Sequence, residues 1–355
     1  FMPDRSMPDF VEEALVKAVR DDSSPHYTAP IGNEELKELI AEKLERQNNL
    51  HVDPSRNILI TPGSDSGLYF AILPFINDGD EVMIPSPSYP NNYLDVETMG
   101  GKVVPIVLSD KDGYQLDVDQ MREKLTSKTK MVLLTHPNNP TTTVYNRESL
   151  EKLRDFVIEN DLILVVDQAF EDFTYDNEMI TPASMDGMFE RTVTVFSFSK
   201  GMGLSGLRVG YIVTDDYIMD TMFANAVGVI GATSTSSQKA IIEAMKHPEF
   251  MKIFEDAYEY RRHKAFEILN SIPNVSCELP QSGFLCWVDV SKLGNSSDIV
   301  SYLVKEAKVS VNDGINYGEG GKGHLRIVLG VYKDNNRVVD ALVRIKEALT
   351  KYQGL

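Results

Sequence analysis

Apolar and polar positions alternate along the chain in two recognisable periods. From about residue 33 to residue 214, segments with the spacing of amphipathic helices alternate with short, β-rich apolar runs. This order is typical of a mostly parallel sheet with helices on both faces. The predicted helices include 33–48, 64–76, 117–126 and 147–159, and the predicted strands include 56–61, 81–86, 131–136, 163–168, 192–198 and 208–214.

The alternation stops after this region. A charged amphipathic segment over about 247–271 predicts a helix that crosses between domains, and the apolar runs beyond it indicate a smaller α+β domain. The opening segment from Met7 to about Arg20 predicts a helix that packs on that second domain. We therefore expect an α/β protein with two domains. The large domain is predicted over 27–255, and the small domain over 1–26 together with 256–355.

Charge and composition indicate which kinds of binding partner the protein is not expected to have. The 53 acidic residues exceed the 35 basic ones and give a net charge of -18, which disfavours nucleic-acid binding. The two cysteines are too few for a disulfide framework, and the six histidines are scattered, so no metal site is predicted. No apolar run approaches the length of a membrane span and no charged-then-apolar leader opens the sequence. We expect a cytoplasmic protein without a membrane partner.

The stretch Ser197-Phe198-Ser199-Lys200-Gly201 carries the first candidate chemistry. Lys200 follows the end of a predicted strand, where ligands meet an open α/β sheet. Such an amine can attack an aldehyde if desolvation or a neighbouring cation lowers its pKa. Ser197 and Arg208 can then hold a phosphate dianion. The glycines of this stretch also spell G-x-G-x-x-G, but the residues after them predict a strand rather than the helix that a dinucleotide site requires.

A pyridine aldehyde with a phosphate tail needs further groups around Lys200. Asp167 ends an apolar run, where a carboxylate can keep the ring nitrogen protonated. Gly63-Ser64-Asp65 follows another predicted strand and supplies backbone donors for a phosphate at a helix N-terminus. Many strand-to-helix turns have similar residues and only cap a helix.

The ring face and its phenolic oxygen need two more side chains. Tyr89 and Tyr93 both follow a predicted strand, and we select Tyr89 as the aromatic neighbour of the ring. Asn139 follows the strand predicted at 131–136 and is the candidate donor to the phenolic oxygen. An Asn-Pro turn is the equally weighted alternative for Asn139.

These motifs, together and in this order, resemble the class I/II aminotransferase family of pyridoxal 5'-phosphate enzymes with fold type I. The resemblance spans nearly the whole chain. It is carried by Tyr27 with Pro30 and Gly32, Gly63-Ser64-Asp65, Pro87-Ser88-Tyr89, Asn138-Asn139-Pro140-Thr141, Asp167-Gln168-Ala169-Phe170, the stretch 197–208 and Leu325-Arg326-Ile327.

The resemblance implies a role for each matching residue. Lys200 would form the internal aldimine with pyridoxal 5'-phosphate and act as general acid and base. Arg326 would bind the substrate carboxylate, and Tyr27 would reach the phosphate of the neighbouring subunit in a homodimer with shared active sites. The remaining cofactor contacts would come from Asp167 to the ring nitrogen, Asn139 to the phenolic oxygen, Tyr89 to the ring face, and Ser197 and Arg208 to the phosphate.

Two departures from the family pattern affect the expected site. Phe170 stands where many relatives have a tyrosine whose hydroxyl touches the phenolic oxygen, so one donor is lost and we expect a raised pKa for the imine. Thr142 replaces the glycine that is usual after Asn-Pro-Thr. This second departure concerns the local backbone geometry and no catalytic group.

The resemblance favours transamination between an L-amino acid and a 2-oxo acid by a ping-pong mechanism. Motifs around 204–211 and 325–330 are also similar to the histidinol-phosphate aminotransferase and threonine-phosphate decarboxylase branch. An amino-acid decarboxylase or a β-lyase with the same cofactor is therefore the alternative, because fold alone does not decide which bond is broken. A non-catalytic sensor is a further alternative of a different class, which the strongly acidic charge disfavours.

Overall fold

The computed structural model describes residues 6–22 and 24–353. The helices of this part of the chain are α1 (Asp9–Arg20), α2 (Glu34–Asn48), α3 (Ser64–Ile72), α4 (Pro90–Thr98), α5 (Val118–Lys124), α6 (Arg147–Glu159), α7 (Asp216–Ile230), α8 (Thr235–Lys246), α9 (Lys252–Asn270), α10 (Ser296–Tyr302) and α11 (Asn335–Lys351). The strands are β1 (Ile58–Thr61), β2 (Glu81–Ser86), β3 (Lys102–Val107), β4 (Thr129–Thr135), β5 (Ile163–Asp167), β6 (Thr192–Ser197), β7 (Gly210–Val213), β8 (Ser276–Cys277), β9 (Leu285–Asp289), β10 (Asn312–Asp313) and β11 (His324–Val328).

The larger sheet has the strand order β1-β7-β6-β5-β4-β2-β3. Strands β2 to β6 pair in parallel, and β7 pairs antiparallel with both β6 and β1. The central strands are apolar on both faces because helices cover both sides, as in Leu164-Val165-Val166, where each residue is fully buried. The mostly parallel α/β architecture predicted from the sequence is confirmed.

The smaller sheet is antiparallel, with the strand order β10-β11-β9-β8. It packs on α9 and α11 around a separate core that includes Val288, Leu325 and Leu342. Strand β11 pairs with β9 so that Arg326 lies opposite Trp287. This sheet corresponds to the smaller α+β unit predicted from the sequence, and it presents Arg326 towards the larger sheet.

Helix α1 differs from its prediction. It packs on α8, and its Val11 belongs to the core that contains Leu36 and Ile60 of the larger unit. We had expected this helix to lie on the smaller domain. The apolar face of the helix is visible in the sequence, but the surface that it covers is set by tertiary packing. The domain boundaries at 26 and 255 stay a prediction.

The segment predicted as one helix over 247–271 is divided in the structure. A 3-10 turn occupies Pro248–Met251, where the proline fits the first position of the turn, and the α-helix begins at Lys252. Strand β3 and helices α4, α7 and α8 were not among the predicted elements. Within residues 6–22 and 24–353, none of the helices combines the length and apolar character needed to cross a membrane.

Candidate active site

The strands of the larger sheet end at a cavity of about 270 Å³. Strand β5 ends with Asp167, and the turn after β6 carries Lys200, so the carboxyl ends of adjacent parallel strands bring these groups to one edge. The lining residues come from both sheets and are Ser64, Asp65, Tyr89, Asn139, Asp167, Ala169, Phe170, Ser199, Lys200, Ser205, Arg208, Phe284, Leu285 and Arg326.

Lys200 presents its amine inside this cavity. Burial lowers the pKa of the Lys200 ammonium group, while the carboxylates of Asp167 and Asp65 oppose that shift. The Nζ atom also lies 5.7 Å from the centroid of the Phe170 ring. Desolvation therefore increases the fraction of neutral amine, which is the nucleophilic form of a lysine.

Asp167 is 7% exposed, and its Oδ1 accepts a hydrogen bond of 3.1 Å from the backbone N–H of Ala169. Burial raises the pKa of the Asp167 carboxyl to about 6, and the Ala169 N–H opposes that shift. A buried carboxyl group of this kind is stabilised in its ionised form by a cationic group placed next to it.

Arg208 lies beside the N-terminus of α3. Gly63 precedes this helix with a φ of 86°, and a Cβ atom at this residue would lie 2.4 Å from Nη2 of Arg208. At Gly210, a Cβ atom would lie 2.7 Å from the backbone nitrogen of Ser64. Glycine at both positions therefore allows the guanidinium and the free N–H groups of α3 to come close together, which is an arrangement that binds anions.

Asp65 connects this cradle to Tyr89. Its Oδ2 lies 3.4 Å from Nη2 of Arg208, and its Oδ1 accepts a hydrogen bond of 3.1 Å from the Tyr89 hydroxyl and one of 3.4 Å from Asn91. Burial, and then the negative charge of Asp65, raise the pKa of the Tyr89 hydroxyl. Tyr89 is therefore a neutral hydrogen-bond donor at physiological pH.

Arg326 reaches the cavity from the smaller sheet. Its Nη1 donates to Oδ1 of Asn139 over 3.0 Å, and its Nε and Nη2 donate to Oδ1 of Asn312 over 3.2 and 2.9 Å. The Tyr317 ring lies 4.9 Å from the Arg326 guanidinium carbon. In the described part of the chain, the partners of Arg326 are amide oxygens and an aromatic ring rather than a carboxylate. A substrate carboxylate would complete its coordination.

One wall of the cavity is apolar. Phe170 and Phe284 have ring centroids 5.5 Å apart, and a Cβ atom at Gly283 would lie 2.9 Å from Cδ1 of Phe170. Phe170 thus packs tightly in the position that the resemblance assigns to a tyrosine. The wall keeps water away from Lys200, which strengthens electrostatic interactions inside the cavity.

Most of the predicted site residues meet here, but three do not line the cavity. Gly63 contributes through its backbone. Ser197 lines a smaller neighbouring cavity together with Lys43 and Asp172, and its Oγ accepts a hydrogen bond of 3.1 Å from the Ser199 N–H. Tyr27 is 94% exposed.

Sequence reasoning missed several lining residues, namely Ala169, Ser199, Ser205, Phe284 and Leu285. Ser199 and Ser205 belong to the motif around Lys200, and their position next to the lysine was the available signal. Phe284 and Leu285 belong to one of the apolar runs after residue 271 that predicted the smaller α+β domain. No local pattern links that run to the larger sheet.

Comparison with known proteins identifies the family of the chain. The family model "Aminotransferase class I and II" matches residues 3–342. A probable aspartate/prephenate aminotransferase of Aquifex aeolicus is 33% identical over 98% of this chain and 89% of its own length. Aromatic-amino-acid aminotransferase 2 of Thermococcus litoralis is 33% identical over 92% of this chain and 84% of its own length. The crystal structure of the aromatic aminotransferase of Pyrococcus horikoshii superposes with a TM-score of 0.94 at 31% identity, covering 99% of this chain and 94% of that one.

The fold is thus that of an aminotransferase. The chain belongs to the class I and II aminotransferase family. It is an enzyme that acts on amino acids and oxo acids, and members of this family generally use pyridoxal phosphate. The aminotransferase function predicted from the sequence is confirmed.

Proposed function

We propose that this aminotransferase uses pyridoxal 5'-phosphate, with Lys200 as its catalytic amine. The observation that carries the proposal is the meeting of Lys200, Asp167, Arg208 and Arg326 in a single cavity. A buried amine and a buried carboxyl group there adjoin two guanidinium groups that can each bind an anion. This set matches an aldehyde, a pyridine nitrogen, a phosphate and a substrate carboxylate.

The residues present fit the cofactor. The close approach of Arg208 to Gly63, which a Cβ atom would prevent, forms a cradle for a phosphate group. Asp167 lies at the adjacent strand end, where its buried carboxyl group favours a protonated ring nitrogen as partner. Asp167 would pair with the ring nitrogen, Asn139 would donate to the phenolic oxygen, Tyr89 would contact the ring, and Arg208 with the backbone N–H groups of Ser64 and Asp65 would hold the phosphate.

When bound, the cofactor supplies an aldehyde that combines with amines and a ring that withdraws electrons. Lys200 is the base that removes the proton from the substrate α-carbon, because burial favours its neutral amine. The same Nζ atom then holds this proton and donates it as a general acid. The apolar wall formed by Phe170 and Phe284 excludes water from this transfer.

Arg326 orients the substrate by binding its α-carboxylate. Two of its nitrogens bind Oδ1 of Asn312 and a third binds Asn139, which fixes the guanidinium plane. The names of two relatives, an aspartate/prephenate enzyme and an aromatic-amino-acid enzyme, support a proposal for the donor class. We therefore assign L-amino acids of the acidic or aromatic class as donors and a 2-oxo acid as acceptor.

A homodimer with shared sites is part of this proposal. Tyr27 is 94% exposed, and Tyr217 and Val229 of α7 are 81% and 66% exposed, so apolar area is available for a second copy. In such a dimer Tyr27 would act at the partner's phosphate cradle. Sedimentation of the holoenzyme should give twice the mass of the chain, and a single-chain mass would contradict this part of the proposal.

Single-turnover chemistry tests the function directly. The holoenzyme is mixed with one amino acid at a time, from a panel that includes aspartate, phenylalanine, tyrosine and alanine, without any oxo acid. We expect aspartate or an aromatic donor to yield one equivalent of its 2-oxo acid per subunit and then stop. Release of carbon dioxide, or of ammonia with continued turnover, would overturn the proposal in favour of a decarboxylase or a β-lyase.

A further inference from the structure

Thr142 has a backbone conformation that L-residues with a branched Cβ rarely adopt. Its φ is 66°, in the left-handed region, and its side chain is buried at 4% exposure. A conformation of this kind persists only where surrounding contacts hold it. Thr142 lies in the loop that follows β4, and Asn139 of the candidate active site is in the same loop.

Two polar groups of Thr142, its hydroxyl and its carbonyl, bind one distant segment. Its Oγ1 accepts a hydrogen bond of 3.2 Å from the backbone N–H of Gln281, and its carbonyl oxygen accepts one of 2.7 Å from Oγ of the buried Ser282. A third bond runs from the N–H of Val144 to Oε1 of Gln281 over 2.9 Å. These contacts join the loop after β4 to the segment before β9, and we call them the Thr142 clamp.

The clamp is connected to Arg326 on both sides. The loop after β4 contains Asn139, which binds Arg326, and the segment before β9 leads to the sheet that contains Arg326. The N–H of Thr142 donates to the carbonyl of Asn138 over 2.9 Å, which holds the turn that presents Asn139. The segment after Ser282 enters β9, which pairs with β11, where Arg326 lies opposite Trp287. The hydrogen bond between Arg326 and Asn139 links the two sides a second time.

We infer that Thr142 is a positioning residue for substrate binding, which acts through Asn139 and Arg326. The clamp fixes the distance between the larger and the smaller sheet at the point where the substrate carboxylate binds. The Thr142 hydroxyl is the essential group of the clamp. The backbone would be strained with any β-branched side chain at this position, so strain alone does not distinguish threonine from valine. The inference rests on the proposed role of Arg326 as the carboxylate-binding residue.

The test compares Thr142→Val with Thr142→Ser in the holoenzyme. Valine keeps the branched shape and the backbone strain but removes the acceptor for Gln281, whereas serine keeps the acceptor. We expect Thr142→Val to raise the KM for the donor amino acid about fivefold, the effect of losing one hydrogen bond of the clamp that positions Arg326, with little change in kcat. Thr142→Ser should restore the KM of the parent. Thr350→Val, at the exposed end of α11, is the remote control.

The outcomes distinguish a failure of the positioning role of Thr142 from a failure of the proposed function. Equal KM values for the valine and serine variants would overturn the positioning role, even if the valine variant is less stable. If Thr142→Val does not fold, Ser282→Ala removes the other bond of the clamp and should raise the same KM, and an unchanged KM there would also overturn the inference. Arg326→Lys is measured in parallel. An unchanged KM in that variant would contradict the proposed function, whereas a raised KM with no effect at Thr142 or Ser282 would contradict only the clamp.

Discussion

The Nη1 atom of Arg326 donates a hydrogen bond of 3.0 Å to Oδ1 of Asn139, and this bond joins the two sheets across the candidate active site. Arg326 belongs to β11 of the smaller sheet, and Asn139 belongs to the loop after β4 of the larger one. In the proposed function, binding of the substrate and contact with the cofactor therefore depend on the relative position of the two sheets.

Replacement of Arg326 by lysine should weaken substrate binding. Lysine keeps the charge but loses the planar set of donors that binds a carboxylate at two points. We expect the KM for the donor amino acid to rise roughly tenfold or more, with a smaller change in kcat. Steady-state kinetics check this, with Arg122→Lys, in an exposed pair with Glu159, as the matched control. A KM equal to that of the control would contradict the assignment.

Asp65→Asn should increase the affinity of the cofactor-free protein for phosphate. The Asp65 carboxylate lies 3.4 Å from Nη2 of Arg208 and competes with any anion for this guanidinium. Because both groups are half-exposed, we expect a two- to fivefold tighter binding of inorganic phosphate, measured by titration calorimetry. Asp119→Asn, in the first turn of α5, is the control. Weaker phosphate binding in Asp65→Asn would show that the carboxylate assists the cradle instead.

Asp167 should make the cofactor-free protein less stable as the pH rises from about 4 to about 6. Burial raises the pKa of the Asp167 carboxyl from 3.8 to about 6. In this window the unfolded chain has already lost a proton that the folded protein retains, so the free energy of unfolding falls with increasing pH. The effect of two pKa units is about 3 kcal/mol at most. Asp167→Asn should remove this part of the pH dependence in urea unfolding, and parallel curves for parent and variant would contradict it.

Phe170→Tyr should change the titration of the cofactor-loaded protein. The Phe170 ring lies 5.7 Å from Nζ of Lys200 and offers no donor, whereas a tyrosine hydroxyl would stabilise the ionised phenolic oxygen of the cofactor. We therefore expect the visible absorbance of the parent to titrate at a pH roughly one unit above that of the variant. The spectral titration of both proteins between pH 5 and about 10 measures this difference. Identical midpoints would show that the missing hydroxyl has no effect.

The larger sheet was the most predictable part of the fold. Runs such as 162–166 are continuous and apolar because helices cover both faces, so their pattern leaves little ambiguity. Helix α6 was predicted with its observed bounds, and Asn146 caps its first turn through the Ser149 N–H. Strand β3 was missed because it is an edge strand, with Lys102 and Val107 exposed.

The site could be predicted only where local motifs carry it. Asp167 and Lys200 lie at the carboxyl ends of parallel strands, and the rule that ligands meet these ends brings them together. Arg208 comes just before β7, whose antiparallel direction places its amino end at the same edge of the sheet. Phe284 reaches the same cavity from a distant part of the chain. The position of Phe284 depends on how the two sheets pack, and the pattern of apolar residues along the chain does not predict that packing. The same limit explains why the surface covered by α1 was wrongly predicted.

Thr142 shows how a departure from a pattern can be informative. The sequence indicated only that its backbone geometry differed from expectation. That residue has a φ of 66°, and its hydroxyl and carbonyl groups accept hydrogen bonds from Gln281 and Ser282. A local sequence signal thus identified the position, while the contacts that stabilise it come from a segment far along the chain.

A labelling measurement tests whether Lys200 is the catalytic amine. The protein is saturated with pyridoxal 5'-phosphate, reduced with borohydride, digested and analysed by mass spectrometry, with Lys200→Ala treated in the same way. The account predicts a yellow parent protein with the reduced pyridoxyl group on the Lys200 side chain, and no label at this position in the variant. A parent protein that stays colourless, or one labelled at another lysine and not at residue 200, would contradict the account.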